Sequence, residues 1–210
     1  MTAVSPLQRV LLAAAGAMRD RASCLFVLDN VCAQVARMVH EPLMAQIRLA
    51  WWRDGLQADT ALAQHRSPEM DALRALSGFD HVRPHLIAMV DGWEALILFD
   101  GSDTDAMLTA FARGRGGGLF AAFGTAVDTE ASGAVWALWD LAGHLGDEAL
   151  AERAVALARE MATGPRVPLP RMLAMMAGVA RSDVRRGRGA PPDLTPRLYL
   201  RLLRAQLIGR

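Results

Sequence analysis

Three features of the chain predict an all-α fold. Apolar residues recur at spacings of three and four in Leu25, Leu28, Val31, Cys32, Val35 and Val39, and again in Leu43, Ile47, Ala50 and Trp51. That is the pattern of helices with one buried face. A capping hydroxyl precedes a first-turn proline at Ser5-Pro6, Ser67-Pro68 and Thr195-Pro196, and Glu41-Pro42 is a weaker version. No stretch alternates apolar and polar residues with β-branched enrichment, so strands have no support.

The helices follow in order. Ser5-Pro6 opens one over 6–18, and the first apolar stripe carries one over 21–39. Glu41-Pro42 starts 42–58, Ser67-Pro68 starts 68–77, and Pro84 is read as the start of 84–99. Segments 103–113 and 116–127 flank a glycine run, Gly114-Arg115-Gly116-Gly117-Gly118, read as a tight connection between two helices. Segments 131–145 and 147–162 meet near Gly146, and the second ends before Gly164-Pro165. The last two helices cover 169–185 and 196–208, separated by an Arg/Gly/Pro stretch ending at Pro192. None of these breaks is long enough to divide domains, so 1–210 reads as a single domain with a basic segment over 171–210.

Hydrophobic residues make up 52% of the chain and charged ones 21%, which argues against a disordered or collagen-like polymer. The apolar run Val10 to Met18 is far short of the roughly 18 residues a spanning helix needs. Arg19, Asp20 and Arg21 follow it where a signal-peptide cleavage site would need small residues. Cys24 and Cys32 alone exclude a secreted disulfide scaffold. Eight residues apart on a helix, they stand about 12 Å apart along its axis and read as buried free thiols.

All 23 basic residues are arginine. From Arg171 to Arg210 nine arginines face only Asp183 and Asp193, whereas the preceding residues carry a net negative charge. Such an end can meet phosphates, an anionic lipid surface or an acidic partner protein, and the plainer reading is a solvated helix face.

The most distinctive segment runs from Glu41 to Asp54, with Trp51 and Trp52 set between Arg48 and Arg53. Arg48 and Trp52 are four apart and share a helix face, so a guanidinium can lie over the indole. Trp51 joins Ile47 on the more apolar side and reads as core. The segment forms either an ordinary surface stack or one wall of a pocket for an apolar, anionic ligand.

Residues 41–56 resemble the squalene/phytoene synthase family, whose members carry an E-P-x-x-x-Q-I-R-L-x-W-W-R-D-x-L pattern. The similarity is greatest to a short bacterial branch related to the mitochondrial complex I assembly factor. It continues at Val90-Asp91-Gly92-Trp93, at Phe111 to Gly118 (Y-x-x-x-x-x-G-x-x-G in synthases), and from Leu169-Pro170-Arg171 to Asp183. The resemblance implies an isoprenoid-synthase-like helical bundle with a central cavity.

Active members of that family condense two prenyl diphosphates using Mg²⁺ held by two aspartate-rich motifs on facing helices. Carboxylates one helical turn apart point the same way and jointly hold the ions that neutralise the departing diphosphate. The first motif falls here at Ala33-Gln34-Val35-Ala36-Arg37, with every acidic position replaced; Asp29 stands alone about one turn earlier. The second falls near Asp140 to Glu148, where its arginine becomes Gly143 and its leading aspartate His144. Glu148 follows His144 by four, but Gly146 points to a helix end. The ligands of Mg²⁺ are therefore read as lost, and no cofactor is expected.

Weaker patterns have plainer readings. Arg113, Arg115 and their glycines can cradle a phosphate, but no strand and no P-loop lysine accompany them. Asp100, Asp103 and Asp105 lack the rest of an EF-hand and read as helix caps. His81 and His85 flank Pro84, and no serine stands in a nucleophile elbow.

The leading expectation is a catalytically degenerate family member, more a binding or assembly-assisting protein than an enzyme. Its substrate-binding residues are Arg37, Arg48, Trp52 and Arg53, with Arg37 supplying the charge that Mg²⁺ supplies elsewhere. The expected ligand is a prenyl diphosphate or another apolar anion. A protein partner and a peripheral membrane contact through the basic end are also expected, with the protein cytoplasmic or peripheral to the inner membrane. One alternative is an active prenyltransferase condensing farnesyl or geranylgeranyl diphosphate. A second is an all-α DNA-binding regulator, against which the arginines cluster far from the apolar N-terminal helices. Nucleic acid is thus a disfavoured partner.

Overall fold

The computed structural model describes residues 4–37, 42–58, 64–124, 128–165 and 167–208, and all regular structure within them is helical. The helices are α1 (Pro6–Ala14), α2 (Arg19–Ala36), α3 (Pro42–Gln57), α4 (Pro68–Arg74), α5 (Phe79–Ile97), α6 (Thr104–Phe111), α7 (Gly118–Ala121), α8 (Glu130–Ala142), α9 (Glu148–Met161), α10 (Arg171–Val184) and α11 (Pro196–Ile208). A 3₁₀ turn, Gly16–Met18, leads into α2, and a π turn, Ala112–Gly117, joins α6 to α7 without a break. No helix among the described residues is long and apolar enough to cross a membrane.

Local chemistry sets the starts. The Ser5 hydroxyl accepts from the Gln8 amide at 3.2 Å while the Ser5 amide donates to Gln8 Oε1 at 2.9 Å, a reciprocal capping box. Ser67 caps α4 and Thr195 caps α11, as their Ser/Thr-Pro pairs predict. Asp103 and Asp147 perform the same office for α6 and α9. Asp100 accepts from the Ser102 amide at 2.9 Å, so Asp100 and Asp103 serve the backbone, whereas Asp105, also read as a cap, accepts from Arg153 of α9 at 2.6 Å through both oxygens.

Several helices end a few residues short of the sequence reading, α1 at Ala14 and α7 at Ala121 among them, and two differences go deeper. The α5 helix begins at Phe79, after Gly78 in the left-handed region, and Pro84 lies inside it. The first turns of α5 absorb the missing amide, because packing of Phe79, Val82 and Leu86 into the core outweighs one lost hydrogen bond. The glycine run is no connection either; it continues a helix. Its glycines are required by neighbours: a Cβ at Gly116 would stand 2.1 Å from the Gly133 carbonyl oxygen on α8, and one at Gly92 on α5 would stand 2.3 Å from the Arg115 amide. Both flanking helices thus close onto the backbone of the π turn. Val39 and Glu41 lie outside the described residues, as do 125–127 of the predicted 116–127 helix.

The α8 helix runs through the middle, packed on the π turn, α9 and α10, and every residue from Ser132 to Trp139 is buried. A helix apolar all round belongs at such a centre. On the other side of the π turn, α5 packs against α2, α3, α6 and α7. Trp139, Phe26, Phe111 and Phe120 are the largest fully buried side chains.

Within α3 the buried stripe is Ala45, Leu49, Trp52 and Leu56. Trp52 is therefore the core tryptophan and Trp51 the half-exposed one, the reverse of the sequence reading. The stripe Leu43–Ile47–Trp51 misled because Leu43 and Ile47 are exposed. Trp51 packs edge-on against Trp52 and His65, with ring centroids at 5.2 and 5.4 Å.

Candidate functional site

A cavity of about 730 Å³ lies between α1, α2, α5, α8 and the loop over 190–194. Most of its wall is apolar, including Phe26, Trp93, Ile97, Trp136 and Leu141. Gln8 and Asn30 close one part of it with reciprocal amide hydrogen bonds of 2.8 and 2.9 Å. Pro191, Pro192 and Leu194 close another, held in place because the Ala190 amide donates to the Trp139 carbonyl at 2.8 Å.

The polar centre of the wall is Arg115, only 4% exposed, on the π turn. Its Nε donates to Asp29 Oδ1 and its Nη2 to Asp29 Oδ2, both at 2.8 Å, so the pair is bidentate. Nη2 also stands 2.7 Å from Asp140 Oδ2 on α8. The Trp93 indole N–H donates to Asp29 Oδ1 at 2.9 Å. The guanidinium carbon lies 4.6 Å from the Trp93 ring centroid and 4.7 Å from that of Trp136, with Phe111 at 5.5 Å. Burial pulls the arginine toward losing its proton, but Asp29 and then Asp140 more than offset that and hold its pKa above the ordinary value. Nη1 is buried without a hydrogen-bond partner among the described residues. Near Asp29 on the same helix, Cys32 is fully buried; burial, and then the Asp29 carboxylate, push its thiol well above the usual range.

Of the four predicted binding residues, the structure brings only Arg37 to this cavity. Its exposed side chain has no hydrogen bond or ion pair among the described residues. Arg48 and Trp52 instead line a shallow depression of about 390 Å³ on the outside of α2 and α3, with Gln34 and Trp51. Arg53 ties α3 to α5 by donating to Asp91 at 2.8 Å and to Glu94. Burial pulls the Arg53 pKa down, and the bonds to Glu94 and Asp91 outweigh it, leaving it raised. The grouping failed because Arg37 stands at the end of α2 while the other three lie on α3, where Arg48 and Trp52 share one face and Arg53, one residue on from Trp52, leaves the helix in another direction.

Ala33 and Ala36 also line the cavity from α2, while Asp140 and His144 line it from α8 and the turn beyond. His144 Nδ1 lies 2.7 Å from the Asp140 carbonyl oxygen. It lies two residues beyond Ala142, the last of α8, whereas Glu148 begins α9, so the two share no helix face. The donor set does not fit Mg²⁺. Both oxygens of Asp29 and one of Asp140 are turned to Arg115, and Ala33 and Ala36 supply no ligand. No group of three or more His, Cys, Asp or Glu side chains able to hold a metal occurs among the described residues.

Asp29 and Arg115 form the centre that the sequence reading missed. A signal existed: Asp29 falls four residues after Leu25 and three before Cys32, on the buried stripe of α2. A lone acid on an apolar face requires a buried cation, and the arginine among glycines is that cation. Comparison with models of protein families, with curated proteins and with solved structures finds no match to this chain.

Proposed function

We propose that the cavity binds an apolar small molecule with an anionic head, of the prenyl-diphosphate class, and does not transform it. On this reading the protein is a catalytically degenerate relative of the squalene/phytoene synthases with a binding or assembly-assisting role. The observation that carries it is a largely apolar cavity in which Arg37 has no ion pair among the described residues, although Asp193 also stands on the wall. Arg115 is already neutralised by Asp29 and Asp140, whereas Arg37 on the same wall is not. The volume is within the range of roughly 300–1,000 Å³ that small-molecule sites occupy. A diphosphate leaving group needs charge stabilisation as its bond to carbon breaks. The carboxylates that would gather metal ions for that purpose are engaged with an arginine instead, which favours binding over turnover.

Titration calorimetry with farnesyl diphosphate and with farnesol tests this. Arg37→Ala is expected to weaken the diphosphate about 10-fold, the loss of one charge-assisted contact, and to leave farnesol unchanged. Arg48→Ala is expected to change neither. Equal affinities of the Arg37 variant and the parent for the diphosphate would contradict the reading.

A further inference from the structure

A second basic recess lies away from this cavity, between α10 and α11. It has a volume of about 1010 Å³ and is lined by Arg181, Arg185, Arg186, Arg201 and Arg204, with no carboxylate among the described residues of its wall. Two of these cations have protein partners of opposite charge or a hydroxyl: Arg201 pairs with Asp183 at 2.8 Å, and Arg186 donates to Ser182 Oγ at 2.9 Å. The buried Arg181 reaches the carbonyls of Ala162 and Gly164 at 3.4 and 3.3 Å. Arg185 and Arg204 are exposed, and neither has a hydrogen bond or ion pair among the described residues. Arg185 and Arg204 therefore stand near the other arginines with no counter-charge of their own among the described residues, and an anion between them removes the cost of that repulsion.

The α11 helix adds a second observation. It contains no acidic residue, and its buried Leu198 and Leu202 fix its rotation on the core. At about 100° per residue, Arg201, Arg204 and Ala205 then face the recess. The solvent side of the helix carries Tyr199, 41% exposed, and Leu200, 64% exposed. A basic strip beside an exposed apolar strip on one helix suits the boundary between phosphate headgroups and acyl chains.

We infer that the α10–α11 recess holds the phosphate of an anionic amphiphile, with Arg185 and Arg204 as its ligands and Leu200 and Tyr199 against its apolar part. The source that fits both strips is a lipid headgroup. This site is independent of the α2/α8 cavity and of what that cavity binds.

Flotation of the full chain with phosphatidylcholine vesicles, with and without about one-third phosphatidylglycerol, tests the inference. Calorimetry with inorganic diphosphate runs in parallel. Binding is expected only to the anionic vesicles. Arg185→Gln with Arg204→Gln is expected to weaken it at least about 10-fold, and raised salt should weaken the parent as well. Leu200→Ser is expected to weaken vesicle binding without changing the salt dependence. A charge-matched control, Arg19→Gln with Arg66→Gln, is expected to bind as the parent does. Equal losses in control and test variants, or no preference for anionic vesicles, would overturn the site. Binding of inorganic diphosphate without any partition onto vesicles would overturn the lipid source.

Discussion

Arg115 on the π turn holds Asp29 of α2 by two parallel hydrogen bonds of 2.8 Å, and both residues are almost wholly buried. The pair joins segments 86 positions apart and fixes the polar centre of the cavity. Asp140 and the indoles of Trp93 and Trp136 complete the enclosure, so the guanidinium has two carboxylate partners and two indole rings at 4.6 and 4.7 Å.

Breaking this pair from one side leaves an unmatched buried carboxylate. Arg115→Leu is expected to destabilise the protein by about 3–5 kcal/mol in urea denaturation. Asp29→Asn combined with Arg115→Leu is expected to cost clearly less than the two single losses added together. A single variant as stable as the parent would contradict the assignment.

The glycines give a contrast of sign. Gly116→Ala sets a Cβ against backbone that cannot move aside, and about 1–3 kcal/mol or more of stability is expected to go with it. Gly178, in the interior of α10, has nothing within 4 Å of where a Cβ would stand. Gly178→Ala is expected to stabilise by about 0.5–1 kcal/mol. Thermal melts of the two variants should move in opposite directions.

The two adjacent tryptophans separate in the same way. Trp52→Ala opens the core under α3 and is expected to cost about 3–5 kcal/mol. Trp51→Ala removes a half-exposed ring and is expected to cost about 1–2 kcal/mol. Denaturant midpoints with unchanged slopes check both.

Cys32 supplies the pH dependence. Its folded pKa is raised above the unfolded value of about 8.5. The folded state therefore holds the thiol proton more tightly, and the resulting stability is complete below about pH 8.5 and is lost as pH rises toward the folded pKa. Stability between pH 8 and 10 is expected to fall more steeply in the parent than in Cys32→Ala. Iodoacetamide should modify the half-buried Cys24 first and reach Cys32 only on unfolding.

Much of the helical order was legible because caps and spacing are local properties. Ser5, Ser67 and Thr195 announced their helices, and α8, α9 and α10 fall close to the predicted ranges. What the sequence hid depends on distant partners. Pro84 reads as a start until Phe79 and Val82 are seen packed beneath it. The glycine run reads as a break until Gly92 and Gly133 are seen to need its bare backbone. Arg37 lines the cavity from the end of α2, whereas Arg48 and Trp52 share a depression outside α2 and α3 and Arg53 pairs with α5; which wall each helix presents depends on distant packing. Asp29 looked isolated because its partner comes from another helix.

Farnesyl diphosphate offered to the purified protein with and without Mg²⁺ tests the central claim most directly, with diphosphate release and tryptophan fluorescence followed in one sample. Trp93 and Trp136 line the cavity, so occupancy should alter their emission. The account predicts saturable binding, weakened by Arg37→Ala, with diphosphate release no faster than in buffer. Steady release of diphosphate above the buffer rate would contradict it and make the protein an enzyme.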